Sequence, residues 1–310
     1  MTQAALKKTF YSNGKLLITG EYTVLDGAKA LALPTIAGQY LDIEPHEENS
    51  IQWKSFDFDG SVWYEDTFTL KDIKENKQDS ALPETNTLIK ILHEAGLANP
   101  ETINSGFTAT TRLTFPRQWG LGTSSTLINN IAQWFGINAF DLLAKSFGGS
   151  GYDIACAQND TPVVYHLENG KPIVEPVHFN PEFADNLYFV YLNRKQNSRQ
   201  AIAAYRERRN SIAPVKIIID ELTEKVLNTG GLNAFSDILE EHENIMSEVL
   251  GLPTIKLLAF PDFNGAIKSL GAWGGDFVLA VTNKNPEAYF KSKGFETIIS
   301  YKNMIKSGNS

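Results

Sequence analysis

The chain has 310 residues, 42% hydrophobic and 11% aromatic, with 28 basic against 36 acidic residues and a net charge of -8. That length and apolar content exclude a chain disordered as a whole and suit two domains of ordinary size. The acidic balance argues against a protein built to bind nucleic acid, and a lone cysteine, Cys156, excludes an intrachain disulfide framework or a cysteine zinc cluster.

The N-terminal "MTQAALKKTFYSNGK" has no apolar stretch of signal-peptide length, and no apolar run reaches the roughly 18 residues of a membrane span. A cytoplasmic protein that does not enter the membrane is therefore expected. Residues Lys15–Thr19 ("KLLIT") read as a buried strand. "ALALPTIAGQYLDIEP" reads as a second strand broken by Pro34 and closed by Pro45. Alternation on both sides of "DFDG" predicts a hairpin. In "NTLIKILHEAGL", Leu88, Ile91, Leu92 and Ala95 form a helical stripe that stops at Gly96. "GFTATTRLTF" is rich in Thr and aromatics, as strands are.

The stretch "FPRQWGLGTSST" follows, and it opens a helix with an apolar face at Leu127, Ile128, Ile131, Ala132 and Phe135, ended by Gly136. A short helix at Ala139–Ser146 precedes "GGSGYDIACAQND". Asn169-Gly170 sits between alternating runs, a hairpin signal. "NLYFVYLN" reads as a buried strand. Helical patterns cover Arg199–Arg208, Val215–Leu227 and Asn233–Leu250, and the chain closes with the strand–helix–strand run "FVLAV", "PEAYFKSKG", "TIISY". Strands concentrate before residue 190 and helices after it, which predicts α+β architecture with a boundary near residue 180, dividing the chain into 1–180 and 181–310.

Four stretches carry chemistry. Gly120 and Gly122 allow a sharp turn and close backbone approach, while the first amides of the next helix form the positive end of its dipole. Thr123, Ser124 and Ser125 add hydroxyls for phosphate oxygens or Mg²⁺; the alternative is a glycine turn with a Ser or Thr cap. The loop lacks the lysine of a Walker-type loop. Asp153 follows a glycine-rich turn, where a carboxylate can orient a hydroxyl nucleophile or cap a helix, Ser150 and Asp153 having capping-box spacing. Lys15 enters a core strand, which calls for a carboxylate or phosphate partner, unless it is an edge lysine that snorkels to solvent; Glu21, at the end of that strand, can pair with it or contact substrate. "KSLGAWGGDFVLAV" places Gly271, Gly274 and Gly275 before a hydrophobic strand, as a second phosphate-side loop or a tight connection.

Taken in order, these stretches resemble the GHMP kinases, named for galactokinase, homoserine kinase, mevalonate kinase and phosphomevalonate kinase. The resemblance runs from Lys15 to Asp276. Pro116, Gly120, Leu121, Gly122, Thr123 and Ser124 match P-x-x-x-G-L-G-[ST]-S in register, and "GSGYDIA" and "KSLGAWGGD" resemble phosphomevalonate kinase segments. A subgroup of these kinases carries the G-Y-D-I-A string itself. "GKLLITGEYTVLDG" is similar to the opening of mevalonate and phosphomevalonate kinases. The resemblance implies a two-domain fold, an N-terminal domain like domain 2 of ribosomal protein S5 and a ferredoxin-like C-terminal domain. It implies ATP and Mg²⁺ as cofactors and a small-molecule acceptor, mevalonate or phosphomevalonate.

By the same resemblance, residues 120–125 cradle the ATP phosphates, Ser124 binds Mg²⁺, and Asp153 and Lys15 are catalytic. Glu21, Tyr22, Ser198, Gly271, Ala272, Gly274 and Gly275 lie on the substrate side. The family's magnesium-binding acid has Asp141 as its nearest counterpart. Lys195, Arg199 and Lys268 are candidate cations for an acceptor phosphate. The sequence departs from the pattern at Asn13, which stands for a proline, at Thr126, which stands for a small alanine, and at Trp273, which stands for a glycine. Diphosphomevalonate decarboxylase and a catalytically silent ligand sensor are the alternatives on this fold. A homodimer is compatible with the sequence, and nothing in it specifies one.

Overall fold

The computed structural model describes residues 7–194, 202, 205–207, 212–271, 273–306 and 308. Its strands are β1 (Lys8–Leu17), β2 (Ala30–Pro45), β3 (Ser50–Phe56), β4 (Val62–Thr69), β5 (Phe107–Leu113), β6 (Val163–Glu168), β7 (Lys171–Pro176), β8 (Leu187–Tyr191), β9 (Ala266–Leu270), β10 (Phe277–Val281) and β11 (Ile298–Ser300). Its helices are α1 (Leu70–Lys74), α2 (Pro83–Ala98), α3 (Thr123–Phe135), α4 (Ala139–Ser146), α5 (Tyr152–Gln158), α6 (Ile212–Asn228), α7 (Leu232–Leu250), α8 (Ile255–Ala259), α9 (Glu287–Ser292) and α10 (Tyr301–Met304). Among the described residues, no helix is long and apolar enough to cross a membrane.

By its contacts the chain forms two units, neither of them contiguous in sequence. One unit holds residues up to Gly14, Ala37–Arg117 and Leu121–Gln158. The other holds Lys15–Ile36, Gln118–Gly120 and the chain from Asn159 onward.

In the first unit the strands run β4-β3-β5-β2. β3 pairs antiparallel with β4 across the expected turn and parallel with β5, with Trp53 opposite Ala109. Ile51, Trp53 and Ser55 alternate inward, as the period of a strand requires. Their apolar face meets α2, α3 and α4 in a core of Ile51, Trp53, Phe107, Leu92, Ile131 and Phe135. Gly96 does not stop α2. The helix continues to Ala98, with Asn99 at its C-cap and Pro100 beyond. A lone glycine weakens a helix by about 1 kcal/mol without ending it.

In the second unit, β8, the helices α6, α7 and α8, β9, β10, α9 and β11 follow one another, and the strands lie in the order β11-β8-β10-β9, all antiparallel. β10 is buried at every residue, which explains its unbroken apolar run. Pro34 does not break β2; its carbonyl accepts from the Lys306 N–H (2.9 Å). Asn169 and Gly170 both take positive φ, 51° and 74°, in the expected hairpin turn between β6 and β7. Tyr22 and Ala28 pack with Ile219, Leu222 and Met246 of α6 and α7.

Candidate active site

The start of α3 is built for backbone binding. Its N-cap is Gly122, left-handed at φ 94°, and no side chain caps it. The capping alternative for the hydroxyl residues is therefore not realised at this cap. Ser125 turns inward and donates to the Gly122 carbonyl (2.9 Å), and Thr126 donates to Gln39 Oε1 (2.8 Å). Ser124 stays exposed, and its hydroxyl has no partner among the described residues. A cavity of about 180 Å³ lies beside this helix start, lined by Trp53, Trp63, Leu88, Leu127 and Phe147, with Thr123 and Ser124 in its wall. Aromatic and aliphatic walls of this kind suit a flat apolar group beside a charged one.

Behind α3 runs a chain of buried amides that the apolar periodicity does not reveal. Asn130 accepts from the Ser12 hydroxyl (2.7 Å) and donates to the Gln39 carbonyl (2.9 Å). Asn129 donates to Ser12 Oγ (2.9 Å) and accepts from Gln158 (3.0 Å), the last residue of α5. The network ties α3 to β1, β2 and the helix that carries Asp153. Asp153 is half-buried in the first turn of α5, after Gly151 at φ 95°. Two adjacent asparagines inside an apolar stripe are the signal that could have exposed this network.

Asp141 is exposed in the first turn of α4, whose cap, Asn138, accepts from the Phe140 and Asp141 amides (2.8 and 3.2 Å). A negative charge at a helix start has its own electrostatic reason. Among the described residues there is no group of three or more His, Cys, Asp or Glu side chains that could hold a metal.

The second unit carries the remaining residues. Lys15 is half-buried in β1. Glu21 and Tyr22 are not presented to solvent, at 3% and 7% exposure. Glu21 Oε1 accepts from Lys268 Nζ at 2.5 Å. Lys268, 1% exposed, is thus an internal partner and not a surface cation. Burial pushes the Glu21 carboxyl up to about 7, against the opposing pull of Lys268. Its Oε2 has no hydrogen-bond partner and lies 3.5 Å from His242 Nε2. That nitrogen accepts the Gly20 N–H (3.1 Å), so the ring is neutral, and burial holds its pKa well below the ordinary value. Glu243 accepts from the amide and hydroxyl of Ser269 (3.1 and 2.7 Å), and burial raises its carboxyl as well.

Tyr22 Oη accepts the Trp273 N–H at 2.7 Å, and burial pushes its phenol up to about 12. The Trp273 indole donates to the Pro253 carbonyl (3.1 Å). Further along the same loop, the Asp276 carboxylate lies against Gly120, where any Cβ would collide with it, and 3.7 Å from the place of a Cβ on Gly271. Gly274, at φ 75°, faces open space, and Gly275 is buried. The structure thus brings Gly120, Gly271 and Asp276 together, and Tyr22 to Trp273. Ser198, Ala272, Lys195 and Arg199 lie outside the described residues.

No family model matches the sequence, and none of the curated proteins matches it. Solved structures do match in fold. The mevalonate kinase of Methanococcus jannaschii aligns with a TM-score of 0.69 at 16% identity, over 99% of this chain and 100% of its own. Galactokinase from Lactococcus lactis, solved with galactose, gives 0.71 at 14% identity, over 99% and 96%. Phosphomevalonate kinase from Streptococcus pneumoniae, solved with phosphomevalonate and AMPPNP, gives 0.69 at 16% identity, over 94% and 99%.

Proposed function

We propose that this chain, which has the fold of the GHMP kinases, is an ATP-dependent small-molecule kinase whose acceptor is a hydroxyl or phosphate of mevalonate or phosphomevalonate. The observation that carries the reading is the start of α3: a left-handed glycine, no capping side chain, an exposed Ser124 hydroxyl and an aromatic-walled cavity alongside. Amides and dipole there suit a polyphosphate, and the cavity suits its base. The β-α-β-β-α-β order of the second unit supports its ferredoxin-like assignment, and the S5-like assignment goes with the first.

The residues present fit Mg·ATP. Magnesium commonly takes one or two protein carboxylates and fills its shell with phosphate and water; Ser124 would offer it a hydroxyl, and Asp141 is the candidate carboxylate. The bound ion would neutralise charge on the transferring phosphoryl group. Asp153 orients the acceptor and, where that is a hydroxyl, takes its proton, and Lys15 stabilises the negative charge. A phosphoryl transfer needs positioning and charge stabilisation more than covalent chemistry, so this set is sufficient.

The test is ADP release with Mg·ATP across mevalonate, phosphomevalonate, diphosphomevalonate, homoserine and galactose, with CO₂ followed in parallel. ADP without CO₂ is expected for one of the first two. Asp153→Ala should then lower turnover about 10²- to 10⁴-fold with ATP affinity retained. Near-normal turnover in that variant would remove Asp153 from its role. CO₂ from diphosphomevalonate would make the chain a decarboxylase, and ATP binding without ADP release would make it a sensor.

A further inference from the structure

The buried polar groups around Gly20–Tyr22 take no part in the reaction above, yet they form a closed set of ties. The turn is bent on Gly20, at φ 85°, and on Tyr22, at φ 61° and ψ -46°. Positive φ is unusual for a bulky aromatic residue and persists only where the surroundings hold it. Three contacts do so. Gly20 donates to His242 on α7, Glu21 accepts from Lys268 on β9, and Tyr22 accepts from Trp273 in the loop that follows β9. α7 and β9 are joined in turn by Glu243 and Ser269. Lys268 Nζ also donates to the Ser269 carbonyl (3.1 Å) and lies 3.9 Å from Glu243.

A lysine buried between two carboxylates is a poor device for stability alone, because desolvation offsets most of the attraction. Its geometry is what it contributes. Residues 266–270 lead directly into Gly271, so a contact at Lys268 acts within three residues of the glycine loop. We infer that Lys268 is a positioning residue: by anchoring Glu21 it holds the Tyr22 hydroxyl on the Trp273 amide and thereby sets the conformation of Trp273–Asp276, including the Asp276 carboxylate against Gly120. The effect on turnover rests on the kinase reading. The effect on the loop does not.

Full-length protein labelled with 5-fluorotryptophan tests this. Trp273→Phe assigns the Trp273 fluorine resonance. Lys268→Met is expected to shift or broaden that resonance and to leave those of Trp53, Trp63 and Trp134, all in the first unit, in place. Glu21→Gln/Lys268→Met, which leaves no lone charge in the pair, should give the same change and serves if the single variant does not fold. Tyr22→Phe, uncharged and nearly isosteric, should reproduce it through the last link. A Trp273 resonance unmoved in the folded Lys268 variants overturns the inference, as does one unmoved in Tyr22→Phe. Where the wild type phosphorylates an acceptor, Lys268→Met should lower kcat about tenfold or more with the KM for ATP changed by less than about twofold. If the wild type releases no ADP with any of the acceptors, the kinase reading fails and the fluorine result still decides the positioning.

Discussion

Gly120 and the Asp276 carboxylate occupy adjoining space that admits no Cβ, and Gly120 also has φ 67°. Two penalties therefore coincide at one position, a backbone one and a steric one. Gly136, at the C-cap of α3, has nearly the same φ (64°) with nothing near its missing Cβ. The pair separates the two penalties. Gly136→Ala should cost about 1 kcal/mol in urea unfolding, the backbone share alone. Gly120→Ala should cost more and should also displace Asp276; equal costs would mean that the carboxylate moves aside freely. A second contrast lies between neighbouring serines. The sequence gives Ser124 and Ser125 the same chemistry, and only burial shows that Ser125 is committed to the Gly122 carbonyl while Ser124 is exposed.

α3 shows what periodicity can and cannot report at the scale of an element. Its apolar face was legible from Leu127 to Phe135, but Asn129 and Asn130 are buried as well, at 1% and 0% exposure. They are tolerated because Ser12, Gln39 and Gln158 satisfy them, partners remote in sequence. Asn130→Leu should destabilise the fold by roughly 2 kcal/mol, since it leaves the Ser12 hydroxyl and Gln39 carbonyl short of a partner inside the core. The urea midpoint checks this, and an unchanged midpoint would mean that the site repacks. β9 makes the same point for strands. "AIKSL" is buried at every residue, but Lys268 hides it, because the compensating Glu21 stands 247 residues earlier. Local signals fared better: the β3–β4 and β6–β7 hairpins and the bounds of α4 follow from turn chemistry and caps close by. Of the candidate site, the glycine segments and Asp153 were legible as motifs in order. Their mutual contacts, such as Gly120 with Asp276, were not.

Over the whole molecule, the buried charges give stability a definite pH signature. Glu21 ordinarily titrates near 4.5 and in the fold near 7. Between those values the unfolded chain releases a proton that the fold retains, so this carboxyl's contribution falls as pH rises from about 4.5 to about 7. Glu243, raised in the same direction, adds to the fall. His242, lowered by burial, acts oppositely: its contribution is present above its ordinary 6.5 and is lost as pH falls below it. The opposing signs call for a difference measurement. Glu21→Gln should gain stability relative to wild type between pH 5 and pH 8, on the order of 3 kcal/mol, as read by urea unfolding. A pH-independent difference would mean that Glu21 binds its proton no more tightly than in the unfolded chain. The division of the chain into units has a consequence for inheritance. Tyr22 and Ala28 pack with Ile219, Leu222 and Met246, so a single crossover with a relative at residue 180 would part residues that share a core. A viable hybrid has to carry Lys15–Ile36 and Gln118–Gly120 along with everything after Asn159. No one cut achieves that, and neither unit can be exchanged as a contiguous cassette.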